Sequence, residues 1–92
     1  MRVLLFLHYT LIRMDKNETI LERITIVPGL MAGKPTIRGL RFTVADILEM
    51  LANGMSAPEI LEQHPILEAE DITASLLYAS LKMHNTRVLH AA

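Results

Sequence analysis

The residues that could do chemistry are few, and most of their spacings fail. Gly29-Leu30-Met31-Ala32-Gly33-Lys34-Pro35-Thr36 has the outline of a phosphate-binding loop. Three residues separate its glycines where four are needed, and Pro35 removes an amide that should face a phosphate. The histidines His8, His64, His84 and His90 are never three or four apart, no carboxylate joins them at ligand spacing, and the chain has no cysteine. That rules out a thiol nucleophile, a disulfide framework and a thiolate metal site, and it predicts neither a metal nor a cofactor. Ser56 stands where a helix cap is needed and lacks a Gly-x-Ser-x-Gly frame. Glu59 with Glu62, and Glu68 with Asp71, fall on helix faces, where solvated carboxylates are expected rather than an acid–base pair. No nucleophile, base and oxyanion donor come together, so the chain reads as a non-enzyme.

Binding is what remains. Lys34, Arg38 and Arg41 place three cations within eight residues of a Gly- and Pro-punctuated stretch. Cations on such an arm suit phosphate or minor-groove contact, or else they pair with carboxylates of the same chain. The net charge of −1 conceals an asymmetry: Met1 to Phe42 carries seven Lys and Arg against three acids, while Thr43 to Leu81 carries seven acids and no Lys or Arg. A polyanion would meet the first half. The last predicted helix opens Glu68-Ala69-Glu70-Asp71, which repels phosphate where a major-groove reader offers Arg, Lys, Asn or Gln. An aromatic content of 4% without Trp argues against a base-stacking platform for single strands.

The elements that must position these residues follow from patterning. At 92 residues, 51% of them hydrophobic and 21% charged, the chain is one small globular domain. The most apolar run, Met1 to Arg13, is shorter than the roughly 20 residues a membrane span needs and is followed by no small-x-small cleavage site. It reads as an extra strand, a dimer-contact arm, or a leader upstream of a start at Met14, in a cytoplasmic protein. Ile24-Thr25-Ile26-Val27 is β-branched throughout and stops at Pro28-Gly29; with Thr36-Ile37 it predicts a short β-hairpin or arm. Val44, Ile47, Leu48 and Leu51 form the stripe of a first helix, capped by Thr43 and stopped by Asn53-Gly54. Ser56-Ala57-Pro58-Glu59 is a capping box for a second, ending near Gln63 before His64-Pro65. A third begins near Glu68 or Ala69 with the stripe Ile72, Leu76, Ala79 and Met83. Helices of about nine, seven and fifteen residues with short linkers give a mainly α, trihelical helix-turn-helix bundle. The chain divides into an N-terminal apolar extension or arm (1–20), the trihelical domain with its β element (21–83) and a C-terminal tail (84–92).

The run Arg23-Ile24-Thr25-Ile26, Pro28-Gly29, then Gly33-Lys34-Pro35-Thr36-Ile37-Arg38-Gly39-Leu40-Arg41-Phe42 resembles the family called domain of unknown function 433. So do Gly54 to Leu61 and His64-Pro65-Ile66-Leu67-Glu68-Ala69-Glu70-Asp71-Ile72, the likeness covering roughly Leu21 to Leu81. The resemblance implies a homeodomain-like or winged-helix-like fold. It also implies similarity to antitoxins of VapB type, which bind their operator DNA as dimers and mask a PIN-like nuclease toxin. On that footing Lys34, Arg38 and Arg41 are the expected DNA contacts of a homodimer. Leu77, Leu81, Val88 and Leu89, apolar residues beyond the main stripe, are the expected toxin-facing surface. The alternative is a protein-only interaction module that never touches DNA.

Overall fold

A computed structural model of the protein describes residues 19–91, with side chains described for 19–85. The apolar run Met1 to Arg13, with its three readings, lies outside the described residues. After a helical turn at 19–21 come strand β1 (Ile24–Thr25) and strand β2 (Thr36–Ile37), paired antiparallel with Ile24 opposite Ile37 and Thr25 opposite Thr36. The loop between them passes through three successive left-handed residues, Met31 (φ 50°), Ala32 (φ 59°) and Gly33 (φ 76°). The β-branched run continues to Val27, but the ladder stops at Thr25. The next bonded pair would be Val27 with Lys34, but the Lys34 N–H turns to the Met31 carbonyl and the Val27 carbonyl accepts from the Leu30 N–H.

Thr43 caps α1 (Val44–Ala52) by accepting from the Asp46 amide, while the Asp46 carboxylate accepts from the Thr43 N–H. The helix ends as predicted: the Gly54 N–H returns to the Leu51 carbonyl and the Met55 N–H to that of Met50. These two bonds need the left-handed backbone that Gly54 supplies at φ 92°. Ser56 and Glu59 close the second capping box at the start of α2 (Ala57–Gln63), with Pro58 in the first turn. His64 is its C-cap, edge-on to the Phe42 ring with centroids 5.1 Å apart. Then α3 (Ala69–Ala91) runs for 23 residues.

The core is one cluster: Ile37 from β2, Val44 and Ile47 from α1, Ile60 from α2, Leu67 from the connection, and Ile72 from α3. Fully burying a side chain of this size contributes about 1.5–3 kcal/mol. The architecture is thus mainly α and trihelical behind a short hairpin, as the sequence predicts. Two details of α3 are corrected. It continues to Ala91, well past the expected fifteen residues. Its inward face is also not the stripe Ile72, Leu76, Ala79 and Met83. Leu76 is half exposed and Met83 mostly exposed, whereas Asp71, Ile72, Ala74 and Ser75 are buried. An apolar-only pattern misplaces this face because two of its core positions are polar. Among the described residues no helix is long and apolar enough to cross a membrane.

Candidate functional site

Among the described residues, the ion pairs between the hairpin and the helices gather in one cluster. Asp71 lies in the first turn of α3 with its side chain wholly buried. Its Oδ2 accepts the Glu68 backbone N–H at 2.8 Å, so the carboxylate serves the helix N-terminus as a cap does. Arg38 donates side-on, from Nε to Oδ1 at 3.1 Å and from Nη2 to Oδ2 at 2.9 Å. Arg23, just ahead of β1, donates from Nη1 to Oδ1 at 3.0 Å and also to Glu68 Oε1 at 2.7 Å, with Glu70 3.6 Å from its Nη2. Arg38 Nη2 reaches on to the Ile66 carbonyl at 2.7 Å. Behind the cluster, the buried Ser75 hydroxyl donates to the Asp71 carbonyl. Among the described residues no buried side-chain nitrogen or oxygen lacks a partner.

The local fold explains why these residues converge. Ile37 to Leu40 is a tight turn closed by the Leu40 N–H to the Ile37 carbonyl, with Arg38 (φ 48°) and Gly39 (φ 72°) both left-handed. Such turns take Gly or Asn at both central positions. An arginine there costs roughly 1–2 kcal/mol of backbone strain. It is held because only a long, forked side chain can reach Asp71 from that corner. The Gly39 N–H is taken by the Thr25 hydroxyl, which also pairs with the Thr36 hydroxyl, locking the turn to β1.

Electrostatics follow from this geometry. Burial alone would push the Asp71 carboxyl up, but hydrogen bonds from Arg38, the Glu68 amide and Arg23 outweigh it and hold the group below its ordinary value. Glu68 and Asp71 in turn hold the Arg23 guanidinium more firmly charged, and Asp71 does the same for Arg38. With both oxygens of Asp71 engaged by donors, the carboxylate is an anchor and has no lone pair turned to a substrate.

The residues predicted as contacts are dispersed. Arg38 has its guanidinium engaged in the ion cluster while part of the side chain stays in solvent, the same-chain pairing left open by the sequence. Arg41 is exposed and lines a shallow cleft with Phe42, Asp46, Glu49 and His64. Lys34 is exposed on another surface, at the rim of an apolar groove of about 330 Å³ between α1 and α3 that includes Pro35, Leu48, Tyr78 and Met83. The three cations therefore do not form one patch. Leu77 is half-buried and Leu81 exposed; Val88 and Leu89 fall on the last turns of α3, where side chains lie outside the described residues. Asp71 was expected on a solvated face, and the structure corrects this: it is the most buried acid of the cluster. Arg23 was not singled out. The signal available was a carboxylate one residue before the core Ile72 and four before Ser75.

Residues 24–79 match a protein family described as protein of unknown function (DUF433). The chain is 36% identical over 67 residues to an uncharacterized protein, y4eO, of Sinorhizobium fredii. That alignment covers 73% of this chain but only 30% of the relative. In three dimensions it is similar to a DUF433 member from Anabaena variabilis, with a TM-score of 0.64 at 25% identity, covering 100% of this chain and 86% of that one.

The cluster sets an acid limit. A carboxyl depressed in the folded state stabilises the fold fully above its unfolded value of about 3.9, and this contribution disappears as pH falls through the lower folded value. Stability measured by urea melts should be level from about pH 5 to 7 and fall below pH 4. Asp71→Asn should be less stable at neutral pH and show a shallower acid loss. An acid profile unchanged by Asp71→Asn would remove Asp71 from this role.

Proposed function

This chain belongs to the DUF433 family, and from that premise we propose that it is an antitoxin-like module that masks a PIN-like nuclease partner with the outer half of α3. One observation carries the reading. At about 1.5 Å per residue, α3 extends roughly 34 Å, far beyond the two short helices that cover its first turns. Residues 80–85 are exposed throughout, and Leu81 and Met83 keep 44% and 63% of their surface in solvent. A helix that outruns its own core while still carrying large apolar side chains suits a grooved partner.

The engagement of Arg38 by Asp71 and the Ile66 carbonyl favours the protein-only reading over operator binding, and it leaves any DNA contact chiefly to Lys34 and Arg41. These two act on separate surfaces, as backbone contacts in a homodimer could.

The test is co-expression with a candidate PIN-like nuclease partner, read by light scattering on the purified complex. A stable complex is expected, and Leu81→Asp should weaken it at least about tenfold, or roughly 1.4 kcal/mol. A nuclease that neither binds nor loses activity overturns the masking reading. For DNA, anisotropy with the adjacent promoter fragment distinguishes the alternatives. If DNA is touched, Lys34→Ala with Arg41→Ala lowers the salt slope by about two. No binding at low salt establishes the protein-only module.

A further inference from the structure

The two-stranded sheet has one closed side and one open one. On the far side of β2 the Ile37 N–H donates to the Phe42 carbonyl and the Val44 N–H to the Pro35 carbonyl, so β2 is the inner strand. In an antiparallel pair, both residues at such a position point their backbone groups away from each other. Ile24, opposite Ile37, and Ile26, opposite Pro35, therefore turn N–H and C=O outward from β1. No backbone hydrogen bond among the described residues closes that side. The edge is short, but Ile24-Thr25-Ile26-Val27 contains no charge and no proline, and Ile26 and Val27 keep 61% and 39% of their surface exposed.

We propose that this edge pairs antiparallel with the same edge of a second copy, joining two hairpins into one four-stranded sheet. The occupant follows from the strand itself. Setting Ile24 of each copy across from Ile26 of the other, with the two Thr25 facing on the axis, matches outward donors to outward acceptors in about four N–H···O bonds. A register moved by two residues would bring Pro28, without an N–H, opposite Ile24. Ile24 and Ile26 share one face, so each exposed Ile26 gains an isoleucine neighbour across the new pair. Ile24 and Ile26 line one pocket with Leu81 of α3, but the pairing does not rest on the nuclease-masking reading: a chain that binds no nuclease still dimerises here.

Sedimentation equilibrium of the full chain over a wide concentration range tests it. A reversible dimer is expected. Ile26→Pro removes the outward N–H without breaking a bond to β2, and should raise the dimer dissociation constant about tenfold or more while the thermal melt of the monomer is kept. Ile26→Lys should do the same if the proline variant fails to fold. In the wild type, exchange of the Ile26 amide should slow as concentration rises. A chain monomeric at every concentration overturns the proposal, as does a dimer indifferent to both Ile26 variants.

Discussion

The Asp71 carboxylate is out of contact with solvent, and it is tolerated there because donors from three separate segments meet on it: Arg23 ahead of β1, Arg38 in the turn after β2, and the amide of Glu68 at the start of α3. Removing one partner of a fully buried pair costs about 3–5 kcal/mol, and the loss here is smaller because both guanidinium groups are partly open to water. Against a total stability of 5–15 kcal/mol for a domain this small, that is a large share. The hairpin has only two paired positions, too few to stand alone, so its place on the helices rests on this cluster and on Ile37 in the core. The cluster also accounts for Arg38 standing in a left-handed turn position where glycine would be easier.

Function is divided by this arrangement. By pairing Arg38 with Asp71, the fold occupies the guanidinium of the central member of the basic stretch, while Lys34 and Arg41 lie on different sides of α1. The surface also carries exposed apolar side chains at the edge of β1 (Ile26, Val27) and on the outer part of α3 (Leu81, Met83). The two adjoin, since Ile24 and Ile26 line one pocket with Leu81.

Much of the helical frame could be read from the residues alone. Thr43 with Asp46 and Ser56 with Glu59 are local caps, and Gly54 is a local stop; each depends on neighbours within four residues, which is why spacing finds them. The ion cluster depends on Arg23, Arg38 and Asp71, up to 48 residues apart. Spacing carries no information about which cation meets which carboxylate, so same-chain pairing and phosphate contact looked equivalent. The same limit misplaced the inward face of α3: with Asp71 and Ser75 counted as polar, the apolar pattern rotates toward Leu76. The extent of α3 was hidden for another reason. His84 to His90 holds no strong apolar stripe and no breaker, and helix propensity alone continues it.

The most direct measurement of the central claim is a double-mutant cycle between Arg38 and Asp71, using Arg38→Ala and Asp71→Asn with stability read from urea melts. The account predicts strong non-additivity, a coupling of at least about 1.5 kcal/mol. It also predicts that Arg38→Gly is destabilising but less so than Arg38→Ala by about 1 kcal/mol, since glycine relieves the turn strain without restoring the ion pair. Effects that add to within about 0.5 kcal/mol, or an Arg38→Gly chain more stable than the wild type, would contradict it.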